Sequence, residues 1–359
     1  MTDVTLVRVS DLSPAQWRFW IEIIEASDGL YKSPYFRPEF VRAVAAVRGD
    51  VEVALLHQAG QPIGFFPFQR GQLGLGKPVG GKLSDYHGPL LRSGVEIDPQ
   101  QLIRACKLAS WDFDHLVCAT AAFEPFVALR DRSPQLDLSG GYEAYSQGRR
   151  DAGSDTIVRT GQKGRKLARE VGPLQLDFDV DDAEAYELMR SWKSAQYERT
   201  GLADLFGFSW TGELLNTLRQ NRGSEFSAPL SVLRAGDKIA AVVLSLRARD
   251  VLHVWFPAYN PELSNYSPGL VVLLKMAELA PGLGIRTIDL GRGDERYKWS
   301  LASTSAEVCE GTVACPSLGT WLRNRWRQTR DWVNNSSLKQ TAAIPGRLLK
   351  PVRQWMAYR

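Results

Sequence analysis

A chain of 359 residues, 44% hydrophobic and 23% charged, has the profile of a soluble globular protein and is long enough for two ordinary domains. No apolar run approaches the roughly 18 residues of a membrane span, and the N-terminus, with Asp3, Arg8 and Asp11, lacks a signal-peptide core, so the expected location is cytoplasmic. The net charge of +4 divides unevenly, because residues 320–359 hold nine Lys or Arg against Asp331 alone and leave the remainder acidic.

In chain order, Ser13 and Pro14 open a helix through Trp17, Trp20, Ile21 and Ile24, and Ser33, Pro34 and Pro38 lead into another through Phe40, Val41 and Val44. Strands over 51–57 and 62–69, joined at Ala59 and Gly60, predict a β-hairpin. A glycine-rich connection then reaches Asp85, Tyr86 and His87, followed by a helix over 99–109 and a strand over 113–119. The same order recurs later. A hairpin over 230–234 and 238–247 precedes a strand over 251–259, a helix from Pro268 and a strand over 285–290. The segments 55–70 and 232–247 align at an offset of about 177 residues, and 114–116 and 288–290 at 174, which indicates a duplicated unit.

Helices over 154–171, 182–200 and 209–218 connect the two units. The first has a narrow stripe of Ile157, Gly161, Gly164, Ala168 and Val171 that allows tight packing, with Arg159, Lys163, Arg165, Lys166 and Arg169 elsewhere on its surface. The second has a core stripe of Ala185, Leu188, Trp192 and Ala195 beside a polar-aromatic stripe of Tyr186, Arg190, Lys193 and Tyr197. From Ser267, placed as N-cap, and Pro268 at the first helical position, the run through Leu279 is apolar all round, as in a buried helix. A polar loop with Gly291, Arg292, Gly293, Asp294, Tyr297 and Lys298 follows. Cys106, Cys118, Cys309 and Cys315 form no CxxC pair and have no histidine neighbours, which reads as reduced thiols without a zinc site or disulfide framework. The basic tail, with Trp321, Trp326, Trp332 and Trp355, reads as a helix that packs on the body or lies on an anionic membrane face.

WKSAQYERTG (192–201), YNPELSNYSPG (259–269) and DLGRGDERYK (289–298), with DYHGPL (85–90) and GRKLARE (164–170), resemble the CelD-like acetyltransferases associated with cellulose and exopolysaccharide production. These are a subfamily of the GNAT N-acyltransferases. The duplication also resembles the tandem GNAT units of Fem-type aminoacyl transferases. The resemblance runs from about residue 30 to about residue 305. It implies an α/β fold of two tandem GNAT-like units, each a mixed sheet flanked by helices, plus a basic C-terminal helical tail. The expected divisions are 1–150, non-catalytic; 151–318, catalytic; and 319–359, the tail. It also implies acyl-CoA as co-substrate, with no metal, held between splayed parallel strands and with its phosphates at the helix start near Pro268. Here Asn265, Tyr266, Ser267 and Pro268 replace the longer glycine-rich loop that ordinary GNAT proteins open with a basic residue.

Acyl transfer to an amine needs a base, donors for the oxyanion and an acid for the leaving group. His253 is a candidate base on a strand face with Trp255 and Tyr259, opposite Leu252, Val254, Phe256 and Ala258; the alternative is a packed histidine. Asp289 is a second candidate base, or a cap for its glycine loop, and Tyr297 a candidate acid. Ser267, Gly269 and Leu270 are expected at the donor with Lys163, Arg165 and Lys166, unless that helix face is simply solvated. Asp85, Tyr86, His87, Lys193, Tyr197, Arg292, Asp294 and Lys298 are expected to line the acceptor site. The expected reaction is acyl transfer to an amine or hydroxyl of a small or saccharide acceptor, with no DNA partner. One alternative is a Fem-like transferase using charged tRNA. Another is a non-catalytic scaffold of a polysaccharide synthase, held by its tail at the inner membrane face.

Overall fold

The computed structural model describes residues 2–117 and 121–315. The first unit contains β1 (Thr2–Arg8), α1 (Pro14–Glu25), α2 (Pro38–Val47), β2 (Val51–Gln58), β3 (Gln61–Arg70), β4 (Leu75–Lys77), β5 (Leu90–Leu91), α3 (Pro99–Ala105), β6 (Ser110–Val117) and β7 (Val127–Asp137). Two helices, α4 (Gly141–Asp151) and α5 (Thr156–Glu170), lead into β8 (Leu174–Asp177), α6 (Ala183–Thr200), α7 (Ser209–Arg219), β9 (Leu230–Ala235), β10 (Lys238–Ala248) and β11 (Val251–Tyr259). The chain then forms α8 (Pro268–Leu279), β12 (Thr287–Asp289), α9 (Arg296–Leu301) and β13 (Thr304–Ala314). It is an α/β fold, and the order strand, two helices, three strands, helix, strand occurs twice, extending the repeat inferred from the two hairpins.

The strands form one sheet in the order β1-β2-β3-β4-β6-β13-β7-β12-β11-β10-β9-β8, with β5 on β3. This order reads the same from either end: β1 to β6 mirror β8 to β12, and a pseudo-twofold axis passes between β13 and β7. At the centre the units exchange strands. β7 leaves the first unit to pair antiparallel with β12, and β13 leaves the second to lie antiparallel between β6 and β7. On one sheet face α1, α2, α6 and α7 share a single core that includes Trp20, Phe40, Phe65, Leu214, Leu244 and Phe256. The other face has two cores, one under α5 and α8 and one under α3.

Local chemistry accounts for the key helices. The capping box of Ser13 and Gln16 starts α1, Asp98 caps α3, and Asp182 caps α6, which ends at left-handed Gly201. The small stripe of α5 lets it sit close to α8, where a methyl added to Gly164 would lie 3.5 Å from Val271. On α6 the buried positions are Ala185, Tyr186 and Met189, whereas Ala195 faces solvent, so the core stripe lies to one side of the expected one.

The alternation expected along β11 breaks at a β-bulge. Ser245 pairs Val254 and Leu244 pairs Phe256, leaving Trp255 as the extra residue. Leu252 and Val254 therefore face the α8 core, while Phe256 and Ala258 face the α6 and α7 core. The cysteines also depart from expectation: Cys309 is disulfide-bonded, whereas Cys106 keeps a buried free thiol. The basic tail lies outside the described residues, and among those described no helix is long and apolar enough to cross a membrane.

Candidate active site

β11 and β12 are parallel neighbours for only three rungs, Val251 with Thr287, Leu252 with Ile288 and His253 with Asp289. β12 then stops while β11 runs on to Tyr259, so a fork opens beyond His253 and Asp289. The corresponding gap in the first unit is filled by its own chain. After β4 pairs with β6, the backbone turns through left-handed Gly80 and Gly81, and His87 bridges Leu116 in parallel. That filling segment carries Asp85 and Tyr86 across to the second unit.

At the apex His253, fully buried, faces two carboxylates, with Nε2 2.9 Å from Asp85 Oδ2 and Nδ1 3.5 Å from Asp289 Oδ1. Burial opposes its charge, but the bonds and charges of Asp289 and Asp85 overcome it and raise the pKa to about 9. His253 is therefore an imidazolium at neutral pH, without the lone pair a base needs. Burial likewise opposes ionisation of Asp289, but His253, Ser133 and Tyr86 hold it well below the usual carboxylate range. Asp289 accepts from Ser133 Oγ at 2.7 Å, Gln135 Nε2 at 2.7 Å, Tyr86 OH at 2.5 Å and Gly291 N at 2.8 Å. Asp85, also depressed by His253 against the effect of burial, keeps a quarter of its side chain exposed. Tyr35 sets its ring edge-on to His253 at 5.1 Å.

The loop after β12 is fastened from several sides. Gly291 is left-handed, and a methyl there would lie 3.2 Å from Asp85 Oδ2. Arg292 donates to Asp131 Oδ2 at 2.6 Å, the Asp114 carbonyl at 2.8 Å and Glu310 Oε2 at 3.1 Å. Lys298, buried, donates to the carbonyls of Gly291 and Arg292 at 3.2 and 3.0 Å and pairs with Glu295 at 3.2 Å. Both cations thus hold the loop. Asp294 is exposed, and Tyr297 lies on α9 with its pKa raised to about 12, by burial first and then Glu295. Lys193, on α6, donates to Gln196 Oε1 at 3.1 Å and sits 5.7 Å from the Tyr197 ring. Burial, then repulsion from Lys298, lowers its pKa to about 8.

At the other end of the fork, Ser267 is left-handed and makes no side-chain cap. Its hydroxyl instead accepts from Lys163 Nζ at 2.6 Å, while its carbonyl receives the N–H groups of Leu270 and Val271. Because Pro268 has no N–H, the first N–H of α8 belongs to Gly269, whose Cα lies beside the Tyr259 ring. Lys166 sits 5.6 Å from the Tyr266 ring, and Arg165 is exposed. An uncapped helix start with adjacent ammonium groups suits an anion.

The structure brings Asp85, Tyr86, His253 and Asp289 into one cluster, and Ser267, Gly269 and Lys163 into another. His87 points away from the fork: its Nε2 accepts the N–H groups of Asp114 and His115, and burial drops its pKa to about 3. Ser133, Gln135 and Tyr35 escape sequence reading, as does His115, whose Nε2 lies 3.9 Å from Asp85 Oδ1. Ser133 and Gln135 are polar at alternate positions of a strand, but Pro134 between them argues against a central strand.

Residues 158–299 match the acetyltransferase (GNAT) domain family. An aspartate/glutamate leucyltransferase of Paracoccus denitrificans (strain Pd 1222) is 25% identical over 142 residues, which cover 37% of this chain and 50% of the relative. The chain thus spans about half the length of the curated relative it matches. Among solved structures, a tandem GNAT protein from the clavulanic acid biosynthesis pathway superposes with a TM-score of 0.52 at 10% identity, covering 88% of this chain and 100% of its own. A C-terminal domain assigned to a lysylphosphatidylglycerol synthetase of Agrobacterium fabrum gives a TM-score of 0.50 at 12% identity, covering 85% and 96%. The domain match and the transferase relative support an enzyme, and the solved structures share the tandem fold.

Proposed function

We propose that the second unit transfers an acyl group from an acyl-CoA-type thioester to an amine or hydroxyl acceptor, and that the first unit walls the acceptor side. The observation that carries this reading is the fork between β11 and β12, which has a charged apex at one end and the uncapped start of α8 at the other. The donor's phosphates would meet Gly269 N–H, Lys163 and Lys166, with its thioester reaching the apex. In this reading His253 and Asp289 remain at the reacting end as a charged frame, and Asp85 offers its exposed edge to an acceptor ammonium. Tyr297 holds its proton at neutral pH and is the proposed donor to the leaving group. A saccharide amine or hydroxyl, in exopolysaccharide or cell-envelope assembly, is the acceptor that the CelD-like segments favour.

The test is a thermal-shift series with CoA, acetyl-CoA and longer acyl-CoAs, since a ligand of the folded state adds roughly 2.7 kcal/mol at a hundred times its Kd. A saturable rise in melting temperature supports a thioester donor. The leucyltransferase relative and the exposed basic groups of α5 favour a second reading, transfer of an aminoacyl group from charged tRNA. No shift with any CoA ester at millimolar concentration, together with tRNA binding that falls steeply with salt, would establish that donor instead.

A further inference from the structure

Resting on the transfer reading above, we propose that the acceptor is a primary amine, held as its ammonium between Asp85 Oδ1 and His115 Nε2, and that His115 is the base that takes its proton. Asp85 spends one oxygen at the apex, where Oδ2 lies 2.9 Å from His253 Nε2. Its other oxygen, Oδ1, lies 3.9 Å from Nε2 of His115 on β6. That gap is too wide for a direct hydrogen bond, but a nitrogen about 2.9 Å from each atom closes it. Both side chains keep an open edge, 25% of Asp85 and 14% of His115, and among the described residues no hydrogen bond occupies Oδ1 or Nε2. An ionised oxygen there favours an ammonium over a neutral hydroxyl, which selects the amine.

The far side of the ring supports the same role. Nδ1 of His115 lies 3.2 Å from Asp114 Oδ1, and both atoms are sealed from solvent without an aligned hydrogen bond. A proton kept on Nδ1 by that carboxylate leaves the lone pair on Nε2, toward Asp85, and the same carboxylate steadies the imidazolium once Nε2 is protonated. The other charges around His115 are paired with one another. Asp85 has His253 from β11, Asp114 has Lys82 from the filling segment, and Asp131 of β7 has Arg292 from the loop after β12. His87, 3.7 Å from Asp114 Oδ1, is neutral because burial drops its pKa to about 3. Each carboxylate near His115 thus has a cation of its own, whereas His253 sits sealed between two carboxylates and keeps its proton.

In the reaction the ammonium gives one proton to His115 Nε2, and the freed nitrogen attacks the thioester carbonyl. As the C–N bond forms and the C–S bond breaks, the departing thiolate takes the phenolic proton of Tyr297. The surplus proton of the new amide nitrogen returns to the Tyr297 oxygen through water, and His115 releases its own to solvent.

Two measurements test this. Diethyl pyrocarbonate transfers an ethoxycarbonyl group to neutral, accessible imidazole. Applied to the native protein at neutral pH and read by peptide mass spectrometry, it should modify His115 and spare the fully buried His253. His115 unmodified, or modified no faster than His253, overturns the proposal. In the second, thiol release from acetyl-CoA is measured with a panel of amino sugars and amino acids and with their hydroxyl counterparts. His115→Ala should lower kcat with the amines about a hundredfold or more and leave the acetyl-CoA melting shift unchanged, and added imidazole should restore part of the loss by supplying the missing base. Retained kcat, a loss that imidazole does not relieve, or wild-type turnover as fast with the hydroxyl counterparts overturns the proposal. Failure of the transfer reading shows differently, as a wild-type protein whose melting temperature no acyl-CoA moves, and it takes this role with it.

Discussion

The charge on His253 is a stability statement that can be measured without a substrate. Its pKa rises from 6.5 to about 9 on folding, and at about 1.36 kcal/mol per unit this stabilises the folded state by about 3 kcal/mol. Because the folded pKa is the higher one, the stabilisation is complete below pH 6.5, where both states hold the proton. It declines as the unfolded ring loses its proton first, and is gone above about pH 9. Lys193, with a folded pKa of about 8 against 10.5, contributes the opposite slope between those two values, so the comparison needs a reference. His253→Gln removes the titration and keeps an amide donor. Urea unfolding at intervals from pH 6 to 9.5 should show the wild type losing about 3 kcal/mol relative to this variant. With four histidines in the chain, ring resonances can also be followed directly, which decides the matter even if the variant does not fold. Parallel stability curves, or a His253 resonance titrating at or below pH 6.5, would refute the doubly paired imidazolium.

Asp289→Asn leaves His253 with one carboxylate and sets an amide among donors, and should cost about 3–5 kcal/mol in urea unfolding. Gly291→Ala meets both the left-handed backbone and Asp85 Oδ2, and should cost about 1–3 kcal/mol by the same measurement, with a weaker melting shift from the donor. Lys163→Ala, at an exposed position, should leave the unliganded melting temperature unchanged while lowering donor affinity about tenfold in calorimetric titration.

Much of this architecture is legible in the residues because local signals agree. Ser13, Pro38 and Pro268 open helices where expected, and the all-round apolar run after Pro268 is buried under the sheet. What resists reading is long-range pairing. β7 carries Pro134 and β13 has no helical or turn punctuation that names its partners, yet these two strands join the halves. Along β11 a single extra residue at Trp255 reverses the alternation, and no local residue marks it. The resemblance singles out Asp85, but only the path of the segment from Gly80 to Leu91 shows that it reaches His253. Charge state is equally a tertiary property: the histidine that sequence offers as a base is protonated because two distant carboxylates converge on it.

The exchange of β7 and β13 also changes what counts as a transplantable part. A fragment beginning after α4 would keep the whole region matched to the GNAT domain, yet it would lack Ser133, Gln135, Asp85 and Tyr86 and would expose the edge of β12. A free edge of that kind invites pairing with other chains. Recombination that shuffles single GNAT units would therefore yield aggregation-prone halves with an incomplete apex, so the two units are constrained to be inherited, and to diverge, together.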